Sequence, residues 1–174
     1  RQQDATCVIT TGGIQSNHCR ATALAARTLG IRPVLVLRGS PPAGGFDGNL
    51  LLDGILGAEI HWITAEQYAD RDAIMAAHAE RLAAAGERPY VIPEGGSNAT
   101  GALGFVRAGR EVAAQAMAAG VDFDTVVFAT GSGGTLAGLA MSGLSAQVLA
   151  VAVCDDRAYF LSLIHISEPT RQIR

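Results

Sequence analysis

Thr11-Gly12-Gly13-Ile14-Gln15-Ser16-Asn17-His18-Cys19-Arg20, residues 11–20, separates two stretches of different character. Ahead of it, Ala5 to Thr10 (ATCVIT) is a short, mostly apolar run that reads as a buried strand. Behind it, Ser16 to Leu29 places alanine and leucine at helical spacing and stops at Gly30, which reads as a helix with a glycine just past its end. A glycine-rich turn at such a junction leaves free backbone N–H groups at the helix start. With the positive end of the helix dipole, those donors suit a carboxylate or a phosphate. Gln15, Ser16, Asn17 and His18 add polar side chains at the same place. The residues alone also allow a plainer reading, in which Gly12 and Gly13 only permit the turn and Ser16 or Asn17 caps the helix.

Working outward, short apolar runs alternate with longer runs at helical spacing. Pro33–Leu37 (PVLVL) is a strand, Arg38–Gly48 a Pro/Gly loop, Asn49 is expected to cap the helix LLLDGILG, and Ala58–Ile63 (AEIHWI) is a third strand. Asp70 or Asp72 opens a helix through Ala85 that ends at Gly86, and Pro89–Pro93 is a short strand. Residues 94–105 (EGGSNATGALGF) form a second glycine turn feeding a helix from Thr100 to Ala119, with Ser97 or Asn98 as its cap. Glu94 beside it reads either as a helix-dipole partner or as a pocket acid. Residues 124–130 and 146–153 are strands flanking a third glycine turn and a helix. The alternation predicts an α/β fold of open parallel sheets covered by helices, with a smaller lobe over 1–95 and part of a larger one over 96–160. Ligands of such sheets bind at the carboxyl ends of the strands, where these loops are expected to converge. Trp62, Phe105, Phe123 and Phe128 read as core.

At 174 residues, 49% apolar and 17% charged, the chain can bury a core. A net charge of −3 without a basic cluster gives no reason to expect nucleic acid or an anionic membrane as partner. No apolar run reaches the length of a membrane span and no signal-peptide pattern opens the sequence, so a cytoplasmic protein is expected. Cys7, Cys19 and Cys154 are scattered and read as buried thiols, with Cys19 set apart by its place beside Ser16-Asn17-His18. His61 and His78 lack partners at metal-ligand spacing, so no metal is expected. Arg20 either reaches an anion or lies on an exposed helix face.

Gly131-Ser132-Gly133-Gly134-Thr135, between strand and helix, is a natural phosphate cradle: small residues let the backbone approach, and amides and hydroxyls donate. It is not a P-loop, which needs a lysine, and Leu136 stands where a dinucleotide fingerprint has its third glycine. Asp155 and Asp156 after the next strand keep a nicotinamide-dependent dehydrogenase as an alternative.

GGIQSNH followed by Arg and an alanine-rich helix resembles the segment after the Schiff-base lysine in the D-cysteine desulfhydrase and 1-aminocyclopropane-1-carboxylate deaminase family, pyridoxal-phosphate enzymes of the tryptophan-synthase-β-like fold type II. GNLLLDGILGAEIHW, EGGSNATGALGF and strand–GSGGT–helix resemble the same family in the same order. The resemblance implies pyridoxal 5'-phosphate as cofactor and a small amino acid as substrate. It places Gln15, Ser16, Asn17 and His18 at the substrate, with Ser16 on its carboxylate, Asn17 also on the cofactor ring oxygen, and Gly131, Ser132, Gly133, Gly134 and Thr135 around the cofactor phosphate. It implies β-elimination from D-cysteine first, cyclopropane ring opening second, and a homodimeric parent. All 13 basic residues other than histidine are arginine. The lysine that such an enzyme needs is therefore absent, no catalytic residue is assigned, and the chain is expected to be an inactive fragment. Residues 161–174 resemble a translated sequencing-library adapter and are left out of fold reasoning. A non-catalytic binding module is the rival from another class.

Overall fold

The computed structural model describes residues 4–153. The acidic pair 155–156, the third cysteine and the adapter-like stretch 161–174 lie outside them. The chain divides into two compact units, Arg1–Gly95 and Gly96–Arg174.

The first unit is a parallel sheet in the order β3-β2-β1-β4, built from β1 (Cys7–Gly13), β2 (Arg32–Arg38), β3 (Glu59–Ile63) and β4 (Pro89–Val91). The connecting helices are α1 (Asn17–Thr28), α2 (Gly48–Ile55) and α3 (Arg71–Ala84). Alternation along β2 sorts the core. Val34 and Val36 pack with Cys7, Ile9, Met75 and Leu82 towards α3, while Leu35 and Leu37 pack with Cys19, Ala23 and Leu50 towards α1 and α2. Both faces of β2 are covered, which is why its sequence is continuously apolar. Ile9, Leu35, Leu37, Leu50 and Met75 are fully buried, each stabilising the unit by about 1.5–3 kcal/mol of transfer free energy.

The strand order reverses at β1, so the carboxyl ends of β1 and β4 flank the position where an open α/β sheet takes its ligand. β1 runs on through Thr11, Gly12 and Gly13, paired with β2 as far as Gly13↔Arg38. The turn is thereby shortened to Ile14, Gln15 and Ser16. The expected cap at Asn49 is corrected: α2 starts two residues earlier than expected, at Gly48, Asp47 holds the cap position without a side-chain bond, and Asn49 lies inside the first turn.

In the second unit α4 (Ala99–Ala119) precedes the parallel pair β5 (Thr125–Thr130) and β6 (Gln147–Ala152), which are joined through α5 (Gly134–Ala140). Asn98 caps α4, its Oδ1 accepting from Gly101 N at 2.8 Å. Gly120, with φ 68°, closes it in the left-handed conformation. α4 and α5 pack closely, Gly109 meeting Ser142 and Gly138 meeting Ala102 and Phe105. The aromatic core expectation fails here: Phe105 is 40% and Phe123 45% exposed, with Val127, Leu149 and Val151 also exposed on the strands. Two strands offer too little sheet to cover them. Trp62 and Phe128 are half-buried.

Candidate functional site

In the first unit the site grows from Gly12. A Cβ there would stand 2.7 Å from Ser16 Oγ and 2.9 Å from Cys19 Sγ, so only glycine lets the turn fold back onto β1. Ser16 then caps α1: its Oγ accepts from Cys19 N at 3.1 Å, and its backbone N–H donates to the Gly13 carbonyl at 3.0 Å. The Ser16 side chain also hydrogen-bonds the Cys19 side chain, which works against the burial-driven rise of that thiol's pKa.

His18 is tied to the sheet. Its Nε2 lies 2.8 Å from Thr10 Oγ1, and that hydroxyl donates to the Ile92 carbonyl at 2.9 Å. The hydroxyl has one hydrogen and the carbonyl can only accept, so Nε2 carries the ring proton and Nδ1 is a bare acceptor. Burial holds the His18 pKa below the usual histidine value, against the opposing charge of Glu94. The ring is therefore neutral at pH 7.

Gln15 and Asn17 are linked to α2. Gln15 Nε2 donates to Asp47 Oδ1 at 2.9 Å, its Oε1 accepts from Asn49 N at 2.8 Å, and Asn49 Nδ2 bonds both the Gln15 carbonyl at 2.9 Å and Asn17 Oδ1 at 3.0 Å. Gln15 and Asn17 are exposed at the surface of the turn. The structure thus gathers all four expected residues of this turn on one edge.

Beneath them, burial pushes the Cys19 thiol up to about 11, so it packs as a neutral hydrophobe and is no nucleophile at neutral pH. Asp53 on α2 is fully buried, both carboxylate oxygens lack hydrogen-bond partners among the described residues, and burial raises its pKa to about 6 against the charge of Arg20. The Arg20 charge acts on Asp53 without a hydrogen bond between them. Glu94 serves as partner to two groups: Tyr68 OH donates to its Oε1, and Arg71 Nε lies 2.9 Å from its Oε2. The Arg71 N–H is sealed from solvent and not aligned on that oxygen, which makes the contact one of charge proximity. The Arg38 guanidinium covers the Tyr68 ring at 4.7 Å.

At the edge of the sheet His61 and His78 stack with centroids 4.1 Å apart, and His61 Nε2 lies 2.7 Å from Glu59 Oε1. No metal-holding group of His, Cys, Asp or Glu exists among the described residues.

In the second unit β5 ends at Thr130, whose buried Oγ1 has no partner among the described residues. The chain continues through Gly131 and Ser132 to Gly133, at φ 81°, a conformation side chains rarely adopt, and into α5 at Gly134 and Thr135. Ser97 Oγ donates to Ser132 Oγ at 2.5 Å, leaving the Ser132 hydrogen free for a ligand. A Cβ at Gly134 would stand 3.0 Å from Ser97 Oγ. An orphaned hydroxyl, a spare hydroxyl hydrogen and a loop of small residues with approachable amides fit a phosphate group.

The sequence reading missed Thr10, Asn49 and the Ser97–Ser132 pair. Thr10 sits inside an apolar strand, Asn49 carries the propensity of a helix cap, and Ser97 has only its capping propensity as signal.

Fold and loops together define a helix-covered parallel α/β protein whose strand ends carry glycine-rich, donor-bearing turns. Residues 1–154 match the family model of the pyridoxal-phosphate dependent enzymes, and the chain belongs to that family. The mitochondrial bifunctional D-cysteine desulfhydrase/1-aminocyclopropane-1-carboxylate deaminase of Arabidopsis thaliana is 44% identical over 93% of this chain and 43% of its own length. The D-cysteine desulfhydrase of Serratia proteamaculans (strain 568) is 43% identical over 80% of this chain and 43% of its length. The crystal structure of an ACC deaminase homologue superposes with a TM-score of 0.87 at 37% identity, covering 98% of this chain and 52% of that one. The chain thus spans less than half the length of these two curated relatives. The expected family and α/β parallel-sheet fold are borne out. No helix among the described residues is long and apolar enough to cross a membrane.

Proposed function

We propose that this chain is the part of a pyridoxal-phosphate-dependent lyase or deaminase that holds the substrate carboxylate and the cofactor phosphate, with D-cysteine as the leading substrate. The carrying observation is the turn at Gly12–His18, where Ser16 caps α1 and Gln15, Asn17 and His18 stand beside it after the end of β1. When bound, the cofactor supplies an electron sink for the pair released from the substrate Cα. The chain's own residues do the rest. Ser16 and the amides of the first turn clamp a carboxylate, Asn17 stands by the ring oxygen, Gln15 braces the turn against α2, and neutral His18 offers an acceptor to the substrate. Clamping one end fixes the Cα–H bond relative to the ring, which converts binding energy into orientation. Gly131, Ser132, Gly133, Gly134 and Thr135 hold the phosphate.

No lysine occurs in the sequence, so the amine that anchors the cofactor aldehyde comes from elsewhere in the whole enzyme, and the 174-residue chain alone is inactive. The parent is read as a homodimer by family analogy. Purified whole enzyme should release pyruvate, ammonia and sulfide from D-cysteine. Release of 2-oxobutyrate from 1-aminocyclopropane-1-carboxylate, without pyruvate from D-cysteine, would move the assignment to the deaminase. Absence of both products, with no visible absorbance on adding pyridoxal phosphate, would defeat the enzymatic reading.

A further inference from the structure

Asn49, in the first turn of α2, reaches the start of α1 from a distant part of the sequence. The orientation of the carboxamides there follows from backbone groups whose donor or acceptor character is fixed. Asn49 Nδ2 lies 2.9 Å from the Gln15 carbonyl, which can only accept, so the Asn49 NH2 faces α1. The same nitrogen lies 3.0 Å from the Asn17 side chain, and since two NH2 groups cannot bond each other, Asn17 presents Oδ1 to it. Gln15 is fixed from the other side. The Asn49 backbone N–H can only donate, which puts Gln15 Oε1 towards it at 2.8 Å and leaves Nε2 for Asp47. The Asn17 NH2 then makes no hydrogen bond among the described residues and sits on an exposed side chain.

We propose that Asn49 is a positioning residue that commits Asn17 to act as a hydrogen-bond donor, so that the start of α1 accepts an anionic ring oxygen and disfavours a ligand group that would itself donate there. This rests on the pyridoxal-phosphate reading above. An unrestrained Asn amide occupies a broad, roughly two-fold well, and either face finds water. Without Asn49, part of the population offers Oδ1 to the ring oxygen, and two acceptors then oppose each other.

The test uses isotope-labelled whole enzyme, first without cofactor. In the unsubstituted protein the Asn49 side-chain NH2 should exchange about 10-fold more slowly than that of Asn17. Asn49→Asp keeps the shape but offers only acceptors, so the Asn17 NH2 should turn towards it and become the protected one. Pyridoxal phosphate is then titrated. Asn49→Ala, which adds no charge, should weaken binding about 10-fold. It should also raise the pH midpoint of the bound cofactor's visible band, because a donor to the ring oxygen favours its ionised form. A protected Asn17 NH2 in the unsubstituted protein, or an unchanged midpoint in Asn49→Ala, overturns the proposal. A free Asn17 beside a protected Asn49, with no visible band in the unsubstituted protein, supports the donor assignment and overturns the cofactor reading instead.

Discussion

A half-buried and a fully buried ionisable group near the first turn of α1 pull stability in opposite directions with pH. His18 has a folded pKa below its ordinary 6.5, so its contribution is intact above that value and is lost as pH falls through the folded pKa. Asp53 rises from 3.8 to about 6, so the unit is most favoured below 3.8 and carries the full penalty of a buried, unpaired carboxylate above about 6. Asp53→Asn should accordingly stabilise the protein at pH 8 by about 1–3 kcal/mol, and urea midpoints of the two proteins should converge as pH falls from 6 to 4. Gly12→Ala should cost about 1–3 kcal/mol by driving a methyl into Ser16 and Cys19. It should also lower cofactor affinity, measured by absorbance titration. At this scale the sequence was legible where chemistry is local. Ser16 follows a glycine turn and caps the helix it precedes. Thr10 and Asn49 were opaque because their partners, Ile92 and Asn17, lie far along the chain, and helical or strand periodicity carries no information on such pairs.

The elements followed their sequence signals to within about three residues, since apolar runs bounded by glycine and proline leave few alternatives. The departures have physical causes. β1 outran its apolar run because Thr11 Oγ1 donates to the Val36 carbonyl at 2.7 Å, keeping a polar residue satisfied within the sheet. α2 began before its expected cap because Gly48, at φ 50°, makes the entry bend itself. Asn98 and Ser132 let capping be separated from ligand holding. Asn98→Ala should lower stability by about 1 kcal/mol through α4 without changing cofactor affinity. Ser132→Ala should weaken pyridoxal phosphate binding about 10- to 100-fold while leaving the thermal midpoint of the cofactor-free enzyme nearly unmoved.

At the scale of the whole molecule, the α/β class was legible because both units repeat the strand–turn–helix pattern. The exposure of Phe105 and Phe123 was not, since it depends on how much sheet surrounds them and not on their own hydrophobicity. Binding at the phosphate loop and at the α1 turn should raise stability by mass action. Pyridoxal phosphate at 100 times its dissociation constant should add about 2.7 kcal/mol to the unfolding free energy of the whole enzyme, readable as a rise in calorimetric midpoint.

Cys7 and Cys19 are buried free thiols on opposite faces of one sheet, Cys7 packed towards α3 and Cys19 on α1 itself. An alkylating reagent can reach either only when the layer above it lifts away, so the two labelling rates time the breathing of each helical layer separately. Cofactor bound at the α1 turn should therefore slow modification of Cys19 far more than that of Cys7.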